Sequence, residues 1–206
     1  MGYTHYWYVD PVFPPQLFAR VASDFSRMVP ILAHVGVPLA GGNGNGPPTI
    51  NSRMIIFNGV ANCGHGRRDL GITWPSLSAG GVASQQERKR QGDVAAGKWF
   101  AGATLNTRVC DGDCSHETFK LAQAMGTSHM GLSRTLKNGK YFDFCKTAYK
   151  PYDLAVNVVL IIAKHYLGSR ILVMSDGESK DWQDGRMLCQ RFLGYGSDFR
   201  LDRDRS

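Results

Sequence analysis

A chain of 206 residues, 43% hydrophobic and 20% charged, is long enough for one sizeable domain and short for two. It has no apolar run near the ~18 residues of a membrane span, and no basic stretch leading into an apolar one at its start, so neither a membrane partner nor a secretory leader is expected. The formal charge of +7 suits a polyanionic partner, and five unevenly spaced cysteines fit reduced cytoplasmic thiols better than a disulfide framework.

The opening "MGYTHYWYVD" predicts a strand over Tyr3–Val9 with aromatic rings on both faces: Tyr3, His5, Trp7 and Val9 on one, Thr4, Tyr6 and Tyr8 on the other. "PPQLFARVASDFSRMV" predicts an amphipathic helix over 15–29, opened by Pro15 and ended or kinked by Pro30, with Leu17, Val21, Phe25 and Met28 at helical spacing. "AGGNGNGPPT" lacks the Lys-Ser/Thr of a phosphate-binding loop and predicts a flexible hairpin connection. "RMIIFNGV" predicts a strand stopped by an Asn58-Gly59 turn, and "LGITWPSL" a weaker one stopped by Pro75. Residues 76–141 show poor periodicity, so 40–141 is expected to form an irregular insertion with short strands.

Regular structure returns with "YFDFCKTA", a strand with Phe142, Phe144 and Lys146 on one face. The helix "PYDLAVNVVLIIAKHYLG" follows, starting near Pro151 and capped by Gly168; its apolar middle predicts burial on several sides. "RILVMSDG" predicts a buried strand, and a helix from a Ser179 cap to Gly194 closes the chain. Three strands each followed by a helix predict a single α/β domain over 1–206. It would have a mixed sheet of roughly five to seven strands packed on the long helix. A ferredoxin-like α+β arrangement is the competitor.

Parallel strands would align their C-terminal ends with helix N-termini, the usual ligand edge of open sheets. Residues expected there are Asp10, then Lys146, Thr147, Lys150, Tyr152 and Asp153, then Ser175, Asp176 and Glu178. Lys146, Lys150 and the helix start at Tyr152-Asp153 suit phosphate, while Tyr3, Thr4, Tyr6, Trp7 and Asn58 supply stacking and polar contacts; the alternative is an ordinary strand-to-helix turn. "SDGESKDW" reads either as carboxylates for Mg²⁺ or, preferably, as a turn into a helix. Cys63, His65, Cys110, Cys114 and His116 could supply a zinc site, although their spacing departs from matched cysteine pairs; no metal or cofactor is expected. His5 and His116 are the candidate acid–base residues. His116-Glu117-Thr118 is a single H-x-T where two-histidine phosphoesterases need two, leaving His5 or His129 as the second histidine. No G-x-S-x-G supports a serine hydrolase, and no G-x-G-x-x-G a dinucleotide fold.

The chain resembles a family of small phage and bacterial proteins that begin M-G-Y-T-H-Y-W. They share the motifs standing here as Phe57–Gly59, Glu117–Phe119, Phe144–Asp153, Ser175–Gly177 and Asp181–Trp182. The likeness covers nearly the whole chain, departs at the Gly/Arg-rich segment 76–110, and brings no activity with it. A phage origin would place the protein in the host cytoplasm, where sequestering a nucleotide immune signal is a typical task for a chain of this size. The functional expectation is therefore binding of a small phosphorylated or nucleotide-derived ligand. A phosphodiesterase or nucleotide hydrolase on the same site, and a phage structural protein facing nucleic acid, are the alternatives.

Overall fold

Tyr3, His5, Trp7 and Val9 all point into the interior, and that face of the opening strand organises the molecule. The computed structural model describes residues 3–64, 68–70, 108–110, 112–125, 136–137 and 139–202. In chain order the elements are β1 (Thr4–Val9), α1 (Pro15–His34), β2 (Leu39–Ala40), β3 (Thr49–Ile50), β4 (Met54–Gly59), β5 (Arg68–Leu70) and β6 (Arg108–Cys110). There follow β7 (Phe119–Ala122), β8 (Leu136–Lys137), β9 (Lys140–Lys146), α2 (Asp153–Leu167), β10 (Ile171–Ser175) and α3 (Gln183–Leu193), with a 3-10 turn over Ser179–Trp182 before α3. None of these helices is long and apolar enough to cross a membrane.

The main sheet has the order β10-β1-β9-β8, and every pairing in it is antiparallel. β9 and β10 therefore run in the same direction but lie on either side of β1, joined by α2 as a split βαβ unit. With α1 after β1 and the β8–β9 pair before α2, the order β1-α1-β8-β9-α2-β10 is a ferredoxin-like α+β topology, with residues 35–135 inserted between α1 and β8. Of the two arrangements expected, the ferredoxin-like α+β one is observed, with an antiparallel rather than a mixed main sheet: β1 fills the slot between the two strands that run alike. The edge carrying the C-terminal ends of β9 and β10 thus carries the N-terminal end of β1. Asp10 falls at the opposite end, where its carboxylate meets Lys140 and its N–H donates to the Arg170 carbonyl.

The inserted segment builds a second sheet around β4, which pairs with β2, β3 and β7. Asn58 and Gly59 do not turn the chain; they pair with Ala40 and Leu39 as the end of β4. Phe57 and Phe119 are stacked with centroids 4.9 Å apart, and they meet Phe25 of α1 and Trp7 of β1 at 5.1 Å each. These four buried rings dock the second sheet on the first. β5 and β6 form a separate two-stranded ribbon. "LGITWPSL" beyond Leu70 lies outside the described residues.

Two helix boundaries differ from their sequence signals. α1 runs through Pro30 to His34. Pro30 and Ser26, whose carbonyl loses its helical partner, both lie on the exposed side, where water can take that bond. The last helix begins as the 3-10 turn Ser179–Trp182, with Glu178 and Asp181 as a reciprocal capping box. The turn expected of "SDGESKDW" is therefore the structure's own, and Asp181 accepts the Glu178 N–H at 2.7 Å. α2 is buried from Asp153 to Ala163, as its all-round apolar sequence predicts.

Because Phe57 contacts both Phe25 and Phe119, Phe57→Ala should destabilise by about 3–5 kcal/mol in equilibrium urea unfolding. A loss under about 1 kcal/mol would show that the second sheet is not docked through these rings.

Candidate functional site

The N-terminal end of β1 and the C-terminal ends of β9 and β10 enclose a buried polar cluster. His5 Nε2 donates to Asp153 Oδ1 at 2.8 Å, and His5 Nδ1 faces Ser175 Oγ at 3.0 Å. Thr147, in the turn after β9, donates its hydroxyl to the same Asp153 oxygen at 2.6 Å. Arg108 of β6 reaches in from the inserted segment, with Nε 3.3 Å from Asp153 Oδ2 and a terminal nitrogen 2.8 Å from Asp184 Oδ2 of α3. The side chains of His5, Arg108, Asp153 and Asp184 are all at most 3% exposed.

The electrostatics follow from that packing. Burial alone would raise the Asp153 pKa, but the His5 and Arg108 charges and the bonds from His5 and Thr147 hold it below the usual carboxylate value. Burial likewise opposes the Arg108 charge, and Asp184 and Asp153 more than offset it, so Arg108 holds its proton even more firmly than usual. Aromatic rings seal the cluster. Tyr3 and Trp182 stand edge-on to His5 with centroids 5.0 and 4.9 Å away, and the exposed Tyr149 stacks on Tyr3 at 3.9 Å. Ala148 and Tyr149 hold that lid in place with φ of 49° and 56°, a conformation costly for residues with a Cβ. Gly177 lies so close under Tyr3 that a Cβ there would come within 2.2 Å of the phenol oxygen.

Of the sequence candidates, Tyr3, Thr4, His5, Trp7, Asn58, Thr147, Tyr152 and Asp153 are buried. Asn58 donates to the Gly42 and His116 carbonyls and accepts the Gly59 and His116 N–H groups, so it knits β4 to the loop before β7. The Tyr152 hydroxyl donates to the Glu117 carbonyl at 2.7 Å, and Lys150 Nζ to the Asp113 carbonyl at 2.7 Å. His116 is exposed and its Nδ1 meets the Lys146 carbonyl, so the structure joins it neither to His5 nor to the cysteines. His65 and His129 lie outside the described residues, as does most of segment 76–110. Cys63, Cys110 and Cys114 do converge.

The opposite face of the main sheet is different in kind. Tyr6 and Tyr8 of β1, Phe142 and Phe144 of β9, and Leu172 and Met174 of β10 share it by register. All six are half-buried, and none belongs to the hydrophobic cluster that the helices build on the other side. Phe142 lies 6.1 Å from Tyr6, 5.2 Å from Tyr8 and 5.9 Å from Phe144 by ring centroid, a continuous aromatic surface across the two central strands. Lys146 stands exposed at one end of it. Asp176 sits there too, accepting the Tyr6 hydroxyl at 2.5 Å and the Thr4 N–H at 3.0 Å.

Arg108, Asp184, Tyr8, Phe142 and Phe144 were not among the sequence candidates. Arg108 sits in aperiodic sequence, and Asp184 passes for an ordinary first-turn acid. The two phenylalanines and Tyr8 did carry a signal, the alternation that sets them with Lys146 and Tyr6 on shared faces.

Since the Asp153 carboxyl titrates lower folded than unfolded, its contribution is complete above the unfolded value of about 4 and is lost as pH falls through the folded value. Urea unfolding of the wild type should weaken through that acid range. Asp153→Asn should cost about 3–5 kcal/mol at neutral pH, by uncoupling Arg108, and flatten the acid limb. An unchanged acid limb in the variant would remove Asp153 as its source.

The chain matches no protein-family model, no curated protein and no solved structure.

Proposed function

We propose that the protein binds a nucleotide-derived ligand on the open face of the main sheet, with bases stacked on Tyr6, Tyr8, Phe142 and Phe144. The observation that carries this is the contiguous, half-exposed aromatic surface on the two central strands, outside the hydrophobic core. Evolution rarely leaves four neighbouring rings on a wet sheet face without a use, because they oppose solubility. A four-stranded antiparallel sheet with helices behind it and aromatics on its central strands is the layout by which RNA-recognition modules stack bases. Lys146 at the end of the surface and the net charge of +7 favour a phosphate-bearing ligand. The expected phosphate contact thus keeps Lys146, while Asp153 at the α2 N-terminus is already engaged with His5, Thr147 and Arg108.

Sequestration of a nucleotide immune signal is the finer form of this proposal, and its mark is ligand recovered intact from denatured complex. A hydrolase is favoured by one observation, the line Ser175–His5–Asp153 in which Ser175 alone is partly exposed. Against it, His5 has no exposed surface, and Ser175 Oγ also accepts the Gly177 N–H at 3.0 Å, which ties the hydroxyl into the turn.

Fluorescence anisotropy with labelled single-stranded oligonucleotides and a cyclic dinucleotide tests the proposal. Tyr8→Ala and Phe142→Ala should each weaken binding by about 1–3 kcal/mol, roughly 5- to 150-fold, with little change in melting temperature. Lys146→Ala should lower the salt slope for single strands by about 0.7. Equal affinity in wild type and both aromatic variants would sink the stacking surface. Conversion of the nucleotide to a product, abolished by Ser175→Ala, would replace binding by catalysis.

A further inference from the structure

Three thiols, one in the loop after β4 and two at and just beyond the end of β6, meet at one point. The Sγ atoms of Cys63 and Cys110 are 3.2 Å apart, those of Cys63 and Cys114 3.3 Å, and those of Cys110 and Cys114 3.2 Å. No cysteine of the chain is in a disulfide, and a disulfide here would use two sulfurs and strand the third against it. A nearly equilateral triangle of that edge has a point on its axis about 2.3 Å from every sulfur, which is the Zn–S bond length.

The surroundings differ from those of the other two cysteines. Cys145 and Cys189 belong to the hydrophobic core cluster, whereas Cys110 and Cys114 are buried yet stand outside it, with Cys63 half-buried beside them. Each loop turns next to its cysteine through a left-handed glycine: Gly64 with φ of 74°, Gly112 with φ of 94°. The Gly112 N–H is hydrogen-bonded to the Cys110 sulfur, and the Gly64 N–H donates to the Gly112 carbonyl at 3.3 Å, locking one turn onto the other. Three sulfurs crowded this closely, each with one S–H at most to share, are brought together to best effect by a cation that all three can bind at once.

We propose that Cys63, Cys110 and Cys114 bind one zinc ion as thiolates, with solvent in the fourth position. On loading, each S–H gives its proton to solvent and a Zn–S bond forms, with no change of oxidation state. Zinc suits the site because soft sulfur donors select it over magnesium or calcium, and the sulfurs need only spread from 3.2–3.3 Å to about 3.8 Å to reach tetrahedral angles around it. The ion acts as a clip. Cys110 ends β6 two residues after Arg108, and the Cys114 N–H bonds the Val60 carbonyl just past β4, so closing the triangle fixes the β5–β6 ribbon against the second sheet. The proposal stands independently of nucleotide binding and replaces the expectation that no metal is held.

Protein purified with reductant and without added metal should carry about one zinc per chain by elemental mass spectrometry. The pair Cys110→Ser and Cys114→Ser together should carry none, while Cys189→Ala, with the same drop in thiol count as one of them, should keep the full complement. If the paired variant does not fold, the wild type still decides the matter. Chelator-stripped wild type titrated with cobalt(II) should develop thiolate-to-cobalt charge-transfer bands and the intense visible bands of a tetrahedral site, and should regain its melting temperature on adding zinc. Metal-free wild type without a cobalt spectrum, full zinc in the paired variant, or a disulfide among the three in reduced protein would each overturn the proposal.

Discussion

A guanidinium buried in an apolar interior costs several kcal/mol unless carboxylates and good geometry offset it, and Arg108 is in that position. Its partners Asp153 and Asp184 stand 45 and 76 residues away in the chain, one at the start of α2 and the other in the first turn of α3. Removing Arg108 would leave two carboxylates in the same dry space. Removing Asp153 would strip His5 and Thr147 of their acceptor as well. The pair is thus the joint at which β1, the inserted ribbon, both C-terminal helices and the turn after β9 hold one another, and each depends on the others being in place.

This constraint divides the two faces of the opening strand. On the inward face His5 bonds into the joint and Tyr3 walls it, while Trp7 packs on Phe119 where the second sheet docks. Tyr6 and Tyr8 face the other way, and no described helix recruits them into the core. The aromatic abundance of "MGYTHYWYVD" therefore has two causes. One face is aromatic because a buried polar cluster needs side chains that pack tightly and present polar edges. The other is aromatic without any packing partner in the core, and that is why a stacking ligand is the economical explanation for it.

Much of this was legible from local pattern. The three long helices, β1, β4, β9 and β10 follow from periodicity, caps and turn residues, which are short-range signals. Strand direction is not short-range: β9-α2-β10 looks the same in sequence whether the two strands are neighbours or flank β1, and the ferredoxin-like topology could be weighed but not chosen. Pro30 does not end α1, because a proline on an exposed helix side, with the residue four before it also exposed, lets the helix continue. At the site, "CKTAYKPYD" marked a place where chemistry gathers, yet charge pattern alone cannot say whether Asp153 faces water or Arg108. Arg108 was illegible for the same reason. An arginine in a Gly/Arg-rich stretch looks solvated until the fold supplies two carboxylates from distant helices.

A ribbon of two short strands is marginal by itself, and β5–β6 lies apart from both larger sheets. Its own packing is a weak means of holding Arg108 to within a few tenths of an ångström of two carboxylates. A clip between Cys63 and Cys110 closes a 47-residue separation, and a cross-link over a long loop removes much of the freedom the unfolded chain would otherwise regain. The convergence of three sulfurs two residues beyond Arg108 then has a mechanical sense. The ion would set the ribbon, the ribbon would deliver the guanidinium, and the guanidinium would complete the buried joint behind the sheet. The open aromatic face is then spared the work of holding the buried joint, which acts on β1 from its other side.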